Sequence, residues 1–423
     1  MKRQADSALR TISRIKLSSF LLMLGLSRML ILLAVSAGTH RHEFCNDVAM
    51  HMGMLRSPLG VILYKFPQWE QNPVLLPVVE AIFGFPLQLF LSDFVTLRIV
   101  MIIWEVLAGW LFFQLVDVLN LEGKRRALCL IAFLVLPTGW ITSAVMAQDD
   151  PIATCGFLLP LLLFLRGKIK WALVASGIGF VAAKIFVALE LLDFIGISKR
   201  RDRLVNAAIG ISPIMLIYGA VAIHRRLHGY PLPLLGFRPN PHYGTNFWII
   251  LRRYAGLNLH YAGVYSGFLA LAASLIPVIL MLRLHETARM PLKVVAVTGS
   301  SLLIFFSLFY HIEPEYFMIV MPALILTADN RGDTICVGLI AAFAWLGKFF
   351  QNAAFMDHAD VNSGKLVYLH LFKKIFHSSP GVWLTADQII FSILTIYVSW
   401  RWCLKIRRDA LHTAVAGAKG SLV

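Results

Sequence analysis

The sequence has few charged residues and few cysteines for its length of 423 residues. Charged side chains make up 15% of the chain, whereas a soluble globular domain has roughly 25%. Most of the five cysteines lie in apolar runs, without the spacing of a disulfide framework or a zinc site. A Gly-rich phosphate loop after a strand and an HExxH-type metal pair are also missing. These absences exclude a soluble nucleotide-binding domain and leave the redox compartment and a divalent metal undecided.

Apolar residues fill the space that charge leaves. They account for 58% of the chain, and its mean hydropathy is +0.72. Many apolar runs are separated by short basic loops, so we attribute the net charge of +16 to the positive-inside bias rather than to nucleic-acid binding. Because a span needs roughly 20 mostly apolar residues, the sequence predicts an all-α polytopic integral membrane protein in the lipid bilayer. The count is about 10–13 transmembrane helices, with amphipathic helices in extracytoplasmic loops.

The basic loops assign a side to each connection. The predicted spans are 17–37, 94–119, 127–146, 152–165, 204–223, 262–284, 294–310, 318–327, 334–350 and 387–403. With the basic N-terminal tail in the cytoplasm, both termini are cytoplasmic, and the segments 38–93, 224–261 and 351–386 face outward. A cleavable signal peptide ending at Ala37 is the alternative for the first span, but Arg28 and the length of the run favour a retained anchor. No repeat or linker interrupts the chain, so 1–423 is predicted to be one multi-span domain.

The segment 171–198 breaks the alternation because strongly basic loops flank it on both sides. An even number of crossings is then required, so we predict a broken pair of short helices with the break near Gly177-Ile178-Gly179. Neighbouring protein must cover such a break at membrane depth. Lys184 within it is either functional or extends to the inner interface. Ionisable residues within spans for which no role is assigned are Arg28, Glu105 and Glu190.

Acidic residues collect at the predicted outer loops. Asp47 closes the stretch Phe44-Cys45-Asn46-Asp47 just beyond the first span. It is either a functional acid or only a solvated loop acid or a helix N-cap. Asp149 and Asp150 follow the span 127–146, before Pro151. A helix start, with Asp as the N-cap and Pro in the first helical position, is the alternative for this second group.

The order of these features resembles the glycosyltransferase-C superfamily, polytopic enzymes that take sugar from polyprenyl-phosphate carriers. Asp47 matches the acid of the first outer loop, which is the catalytic base in that superfamily. The motifs that are similar to later segments of the family are Phe66-Pro67-Gln68-Trp69 with Pro73, Ala147-Gln148-Asp149-Asp150, Ala183-Lys184, and Glu315-Tyr316-Phe317 with Pro322. In the last motif a basic residue commonly precedes Tyr and contacts the donor phosphate. In this sequence Glu315 occupies the position of that basic residue, and an acid there would repel phosphate. His311 is then the candidate for the phosphate contact.

The resemblance implies an inverting, mannosyltransferase-like enzyme that acts on the extracytoplasmic side. It would move a hexose or arabinose from a polyprenyl-phosphate donor to a lipid-linked or glycan acceptor, with Asp47 as the base. Candidates for binding the acceptor or the sugar are Gln148, Asp149, Asp150, Glu315 and Tyr316. The leaving phosphate needs cationic partners, for which the predicted outer cations are Arg252, Arg253, His311, Lys373 and Lys374. The basic pairs 252–253 and 373–374 are otherwise an interfacial anchor and part of an amphipathic surface helix.

Two other classes of function stay open. A lipid or sugar transporter, or a flippase, often has two related halves and charged residues near the midplane. This sequence shows no such halves, and its acids collect at the outer loops. A non-catalytic assembly subunit is the third possibility. The sequence does not identify the sugar or the acceptor, nor whether the membrane is a bacterial plasma membrane or the endoplasmic reticulum.

The basic-loop pattern generates a topology test. We expect a cysteine at Asn240→Cys to react with a membrane-impermeant maleimide from the outside, and one at Arg200→Cys only after the membrane is opened, since the two positions lie on opposite predicted faces. The unmodified chain gives the baseline from its own cysteines. Labelling of position 240 from the cytoplasmic side alone would contradict the topology.

Overall fold

A computed structural model of the chain describes a set of ranges rather than every residue. These are 7, 9, 11–38, 48–64, 73–230, 248, 251, 255–256, 259–282, 291–309, 312–358, 374 and 380–420. In these ranges the regular structure is helical throughout and contains no strand. The predicted all-α class is confirmed for this part of the chain.

The helices are numbered here in chain order. They are α1 (Leu17–Gly38), α2 (Val48–Arg56), α3 (Pro58–Tyr64), α4 (Leu76–Gln88), α5 (Asp93–Val118), α6 (Gly123–Val135), α7 (Pro137–Trp140), α8 (Asp150–Leu165), α9 (Ile169–Ala182), α10 (Leu189–Ile197), α11 (Arg203–Leu227), α12 (Leu259–Ser274), α13 (Ile276–Leu282), α14 (Pro291–Leu308), α15 (Phe317–Thr327), α16 (Arg331–His358) and α17 (Pro380–Gly420). A π-helix spans Ile141–Val145, and 3-10 turns span Ile185–Ala188, Arg200–Asp202 and Pro314–Tyr316.

Eight helical segments among the described residues are long and apolar enough to cross a bilayer. They comprise α1, α5, α6 through the π-helix, α11, most of α12 with α13, α14, and parts of α16 and α17. The described part of the chain is therefore consistent with a multi-pass membrane protein. Apolar helices α4, α8 and α9, and α15 with its 3-10 turn, are shorter. The count of about 10–13 spans includes several of these short helices and stays a prediction.

The predicted position of the helix break in 171–198 is wrong. Helix α9 continues through Gly177-Ile178-Gly179 and ends at Ala182, and the break lies at Ala183 and Lys184. The glycines serve close packing instead. Gly177 lies against the backbone of Gly210 in α11, and Gly179 lies against Gly156 in α8. Glycine allows such close helix approach because it has no Cβ.

Prolines interrupt two other predicted spans. Leu136 has extended backbone angles between α6 and α7, as the residue before a proline prefers, and Pro137 then opens α7. The chain continues from α7 directly into the π-helix. The span 262–284 is likewise divided between α12 and α13, the second of which carries Pro277. Helices α16 and α17 both extend into the predicted outer segment 351–386. Helix α16 ends at His358, and α17 begins at Pro380.

Helix α15 lies at the centre of the packed helices. All of its residues are buried, and it contacts α8, α14 and α16. Eleven residues give it a length of ~16 Å, so its two ends are well separated. Arg125 donates to the Leu326 carbonyl oxygen (3.0 Å), and Trp402 Nε1 donates to Thr327 Oγ1 (2.9 Å), both at its C-terminal end. The acidic 3-10 turn Pro314–Tyr316 precedes its N-terminal end.

The glycine contacts predict a packing defect. A Cβ at Gly177 would overlap the carbonyl oxygen of Gly210, a backbone atom that cannot move away cheaply, whereas a Cβ at Gly338 in α16 meets nothing within 4 Å. We expect Gly177→Ala to reduce stability by about 1–3 kcal/mol. Gly338→Ala is the matched control and should be neutral or slightly stabilising, because alanine favours helix. Thermal unfolding in detergent measures both, and equal behaviour of the two variants would contradict the packing argument.

Candidate functional site

A buried ion cluster joins α8, the break after α9 and the turn before α15. The Lys184 ammonium lies 2.8 Å from Asp149 Oδ1 and 3.5 Å from Asp150 Oδ1. The same ammonium lies 4.3 Å from the ring centroid of Tyr316, a cation–π contact. Three segments that are far apart in sequence therefore meet at one lysine. We refer to Asp149, Asp150, Lys184 and Tyr316 as the lysine cluster.

The break in the helix is what places Lys184 there. Its backbone is extended (φ −144°, ψ 143°) and separates α9 from the 3-10 turn that begins at Ile185. Phe186, two residues after Lys184, is buried and packs against Tyr316, with ring centroids 5.0 Å apart. Phe306 of α14 packs edge-on to Phe186 at 5.4 Å. Aromatic packing thus fixes the break beside the start of α15.

A second lysine contacts both acids of the turn before α15. Lys348 of α16 places its ammonium 2.5 Å from Glu315 Oε1 and 2.9 Å from Glu313 Oε2. Lys348 and Glu315 are buried. Both Lys348 and Glu313 are near enough to act electrostatically on Asp150. The two lysine centres therefore form one continuous polar region.

A histidine–glutamate pair borders this region from the first predicted outer loop. His51 Nδ1 of α2 lies 2.6 Å from Glu80 Oε1 of α4, and both side chains are buried. Burial raises the pKa of the Glu80 carboxyl above its ordinary value, and His51 partly opposes that shift. Asp149 and Lys184 also act on Glu80. The backbone N–H of Leu75 donates to the Val181 carbonyl oxygen (2.7 Å), so the chain entering α4 is fixed against the end of α9.

Carboxyls gather in this region. Among the described residues, Asp149 and Asp150 lie beside Lys184, and Glu313 and Glu315 lie beside Lys348. Neither carboxyl oxygen of Asp150 has a hydrogen-bond partner in the described part of the chain, and the same holds for Asp149 Oδ2 and Glu315 Oε2. Ionised carboxylates are acceptors only, and buried acceptors are normally hydrogen-bonded. The geometry therefore suits a ligand that supplies several hydroxyl groups.

A further buried ion pair supports the chain just before Asp149. Arg28 of α1 donates from Nε (2.9 Å) and Nη2 (2.6 Å) to Glu105 Oε1 of α5. Its Nη1 donates to the Leu134 carbonyl oxygen (2.9 Å), and Ser143 of the π-helix donates to Glu105 Oε2. Arg98 donates from Nη2 to the Val145 carbonyl oxygen (2.9 Å) at the end of the π-helix.

The π-helix leads directly into the acidic pair. Ala147 follows it with a positive φ of 56°, a conformation that costs a residue other than glycine of order 1–3 kcal/mol. The backbone N–H of buried Gln148 donates to the Thr142 carbonyl oxygen (2.9 Å). The strained turn is therefore held by its neighbours, and it directs Asp149 and Asp150 toward Lys184. Such π-bulges are frequent at functional sites.

The structure brings together several of the residues that the sequence singled out. Gln148, Asp149, Asp150, Glu315 and Tyr316 all lie in or beside the polar region, with Lys184 at its centre. Lys374 is exposed. The predicted base and the remaining candidates lie outside the described residues: Asp47, Arg252, Arg253, His311 and Lys373, together with the 66–69 part of the aromatic–proline motif.

The helix-start interpretation of Asp149-Asp150-Pro151 is confirmed. Asp149 is the N-cap residue of α8 and Pro151 lies in its first turn, but Asp149 makes no side-chain cap hydrogen bond because its carboxyl contacts Lys184. The position of Lys184 relative to the inner interface stays a prediction.

The sequence missed His51, Glu80, Glu313 and Lys348. A charged residue alone in an apolar stretch was the available signal for Glu80 and Lys348. His51 likewise stands alone among apolar residues, whereas no comparable signal marked Glu313, because it lies in a polar stretch.

No family model matches the chain, and no curated protein matches it.

The Arg28–Glu105 pair yields a stability prediction. Either Arg28→Met or Glu105→Leu leaves the other residue buried without its partner, so each should lower the free energy of unfolding by about 3–5 kcal/mol. The double variant Arg28→Met/Glu105→Leu should recover part of that loss, because no buried charge then remains unpaired. Unfolding in detergent measures the cycle.

The exposed pair of Arg56 and Asp93 provides the control for this cycle. Arg56→Gln should cost no more than about 1 kcal/mol, as surface pairs do. Strictly additive losses in the double variant at 28 and 105 would contradict direct pairing.

Proposed function

We propose that the chain is a membrane glycosyltransferase of the glycosyltransferase-C type. It moves a mannose-like hexose or an arabinose from a polyprenyl-phosphate donor to a lipid-linked or glycan acceptor on the extracytoplasmic side, with inversion. The supporting observation is the lysine cluster. Three motifs on which the family resemblance rests, at 147–150, 183–184 and 315–317, meet there although about 165 residues separate the first from the last along the sequence.

The proposed reaction is a single displacement. The acceptor hydroxyl gives its proton to the Asp47 carboxylate while its oxygen forms a bond to the anomeric carbon of the sugar. The bond between that carbon and the phosphate oxygen breaks, and the lipid phosphate leaves with the electron pair. Attack from the face opposite the phosphate inverts the anomeric centre. Asp47 directly precedes α2, and the first turn of α2 carries His51 to Glu80.

The unsatisfied carboxyl oxygens guide the assignment of roles within the polar region. A phosphate would be repelled by Glu313 and Glu315, both of which already contact Lys348. Sugar hydroxyls are neutral donors and fit the unsatisfied oxygens of Asp150 and Glu315. We therefore propose that this region binds and orients the sugar or the acceptor. The cations for the phosphate are then sought among Arg252, Arg253, His311, Lys373 and Lys374.

The proposal is tested with purified full-length protein, labelled polyprenyl-phosphate sugars and a lipid-linked acceptor. Asp47→Asn should reduce turnover by at least ~10²-fold, the loss typical when a general base is removed. Asp47→Glu should retain part of the activity, because the carboxylate remains. Binding of the donor lipid should survive both changes. Near-normal transfer by Asp47→Asn would remove the assignment of the base.

Asp150→Asn separates binding from chemistry. It should raise the acceptor KM by about 10–100-fold, the loss expected for a hydrogen bond to a charged group, with a smaller effect on kcat. Asp117→Asn, an exposed acid beside Arg126, is the matched control and should leave both constants unchanged. Movement of intact labelled donor across vesicles without any sugar transfer would favour the flippase instead.

A further inference from the structure

A cavity of about 320 Å³ lies where the start of α16 meets α17. It is at the C-terminal end of α15, and the lysine cluster is at the other end of that helix. Its lining includes Asp329, Asp333, Tyr397, Trp400, Arg401 and Lys405. The basic-loop pattern predicts that this end faces the cytoplasm. Nothing in the proposed glycosyl transfer uses this cavity.

The buried carboxylate of Asp333 holds both cations of the cavity. Its side chain is 2% exposed and forms salt bridges with Arg401 Nε (2.7 Å) and Lys405 Nζ (3.0 Å). Asn330 Oδ1 accepts a further hydrogen bond from Arg401 Nη2 (3.1 Å). Both cations are thereby held in fixed positions. Pre-positioned side chains lose less conformational freedom when a ligand binds.

Arg401 and Asp329 remain partly accessible at the rim. The side chain of Arg401 is 32% exposed and that of Asp329 is 44% exposed. The Lys405 ammonium, 2.8 Å from Asp329 Oδ2, joins the two sides and is itself largely covered. The cavity therefore offers a guanidinium donor on one side and a carboxylate acceptor on the other. A ligand that carries both signs of charge complements this arrangement.

Aromatic side chains extend from the cavity along α17. Tyr397 and Trp400 are 50% and 63% exposed, near the end of the candidate span Gly381–Arg407. Exposed Tyr and Trp near the ends of spans lie at the level of lipid headgroups. The cavity thus combines a position at the membrane interface with charges of both signs.

We propose that this cavity binds the headgroup of an aminophospholipid, a phosphodiester that carries a primary ammonium. The phosphate accepts hydrogen bonds from the Arg401 guanidinium, the ammonium donates to the Asp329 carboxylate, and the start of the acyl chains lies along Tyr397 and Trp400. A purely anionic headgroup would leave the Asp329 carboxylate facing negative charge. A free phosphate would contact neither Asp329 nor the aromatic side chains.

The test uses delipidated full-length protein in detergent and four probes. They are short-chain phosphatidylethanolamine, phosphatidylglycerol and phosphatidylcholine, and inorganic phosphate. Native mass spectrometry measures binding, and thermal unfolding measures stabilisation. Phosphatidylethanolamine should bind about tenfold or more tightly than each of the other three, because only it satisfies both charges with hydrogen bonds. Binding of phosphatidylglycerol, phosphatidylcholine or phosphate as tight as that of phosphatidylethanolamine would overturn the proposal.

Asp329→Asn tests the ammonium contact without removing a buried partner, since Asp329 is exposed and Asp333 still holds the cations. The variant should lose the preference for phosphatidylethanolamine over phosphatidylglycerol. Arg401→Lys should weaken all three lipids, because it keeps the charge but loses the guanidinium fork. Asp117→Asn, an exposed acid outside the cavity, should bind like the unmodified protein. Full preference for phosphatidylethanolamine in Asp329→Asn would show that the carboxylate does not select the lipid.

Discussion

A charge inside an apolar bundle is stable only beside a partner, and this constraint organises the molecule. The buried Arg28 and Glu105 satisfy each other across α1 and α5, although 77 residues separate them. Lys184 and Lys348 do the same for acids of α8 and of the turn before α15. Removing either member of such a pair exposes the full desolvation cost of the other. Each pair therefore ties together helices that apolar packing alone would allow to slide.

The pairs also explain why irregular backbone is tolerated where it occurs. The break at Lys184, the π-helix and the left-handed Ala147 all weaken regular helix hydrogen bonding. Each lies next to a charged group that compensates. Asp149 binds Lys184 at the helix break. Glu105 accepts a hydrogen bond from Ser143 of the π-helix, and Arg98 donates to the Val145 carbonyl oxygen just before Ala147. Irregular backbone at membrane depth requires such protein partners, and the polar region is the place where they concentrate.

Sequence patterns predict the all-α class and the positions of several polar sites, but not which residues pair within those sites. The apolar runs were enough for the all-α class, and the motifs at 147–150, 183–184 and 315–317 were recognised as polar sites. Which lysine meets which acid depends on tertiary packing, so the sequence does not identify Lys348 and leaves two interpretations open for Lys184. The break was misplaced because two glycines signal flexibility and close packing equally well. Contacts with Gly210 and Gly156 decide between these readings, and no local pattern contains them.

Helix α15 connects the two polar ends of the protein mechanically. Its 11 residues are all buried, so it has no lipid-facing side along which to move independently. Tyr316 and Glu315 fix its start to two lysines, while Lys405 and Trp402 bind Thr327 at its end. A close-packed interior transmits displacement rather than absorbing it. Helix α15 is therefore anchored at both ends, and it fixes the separation between the ion network at its C-terminal end and the candidate site at its N-terminal end.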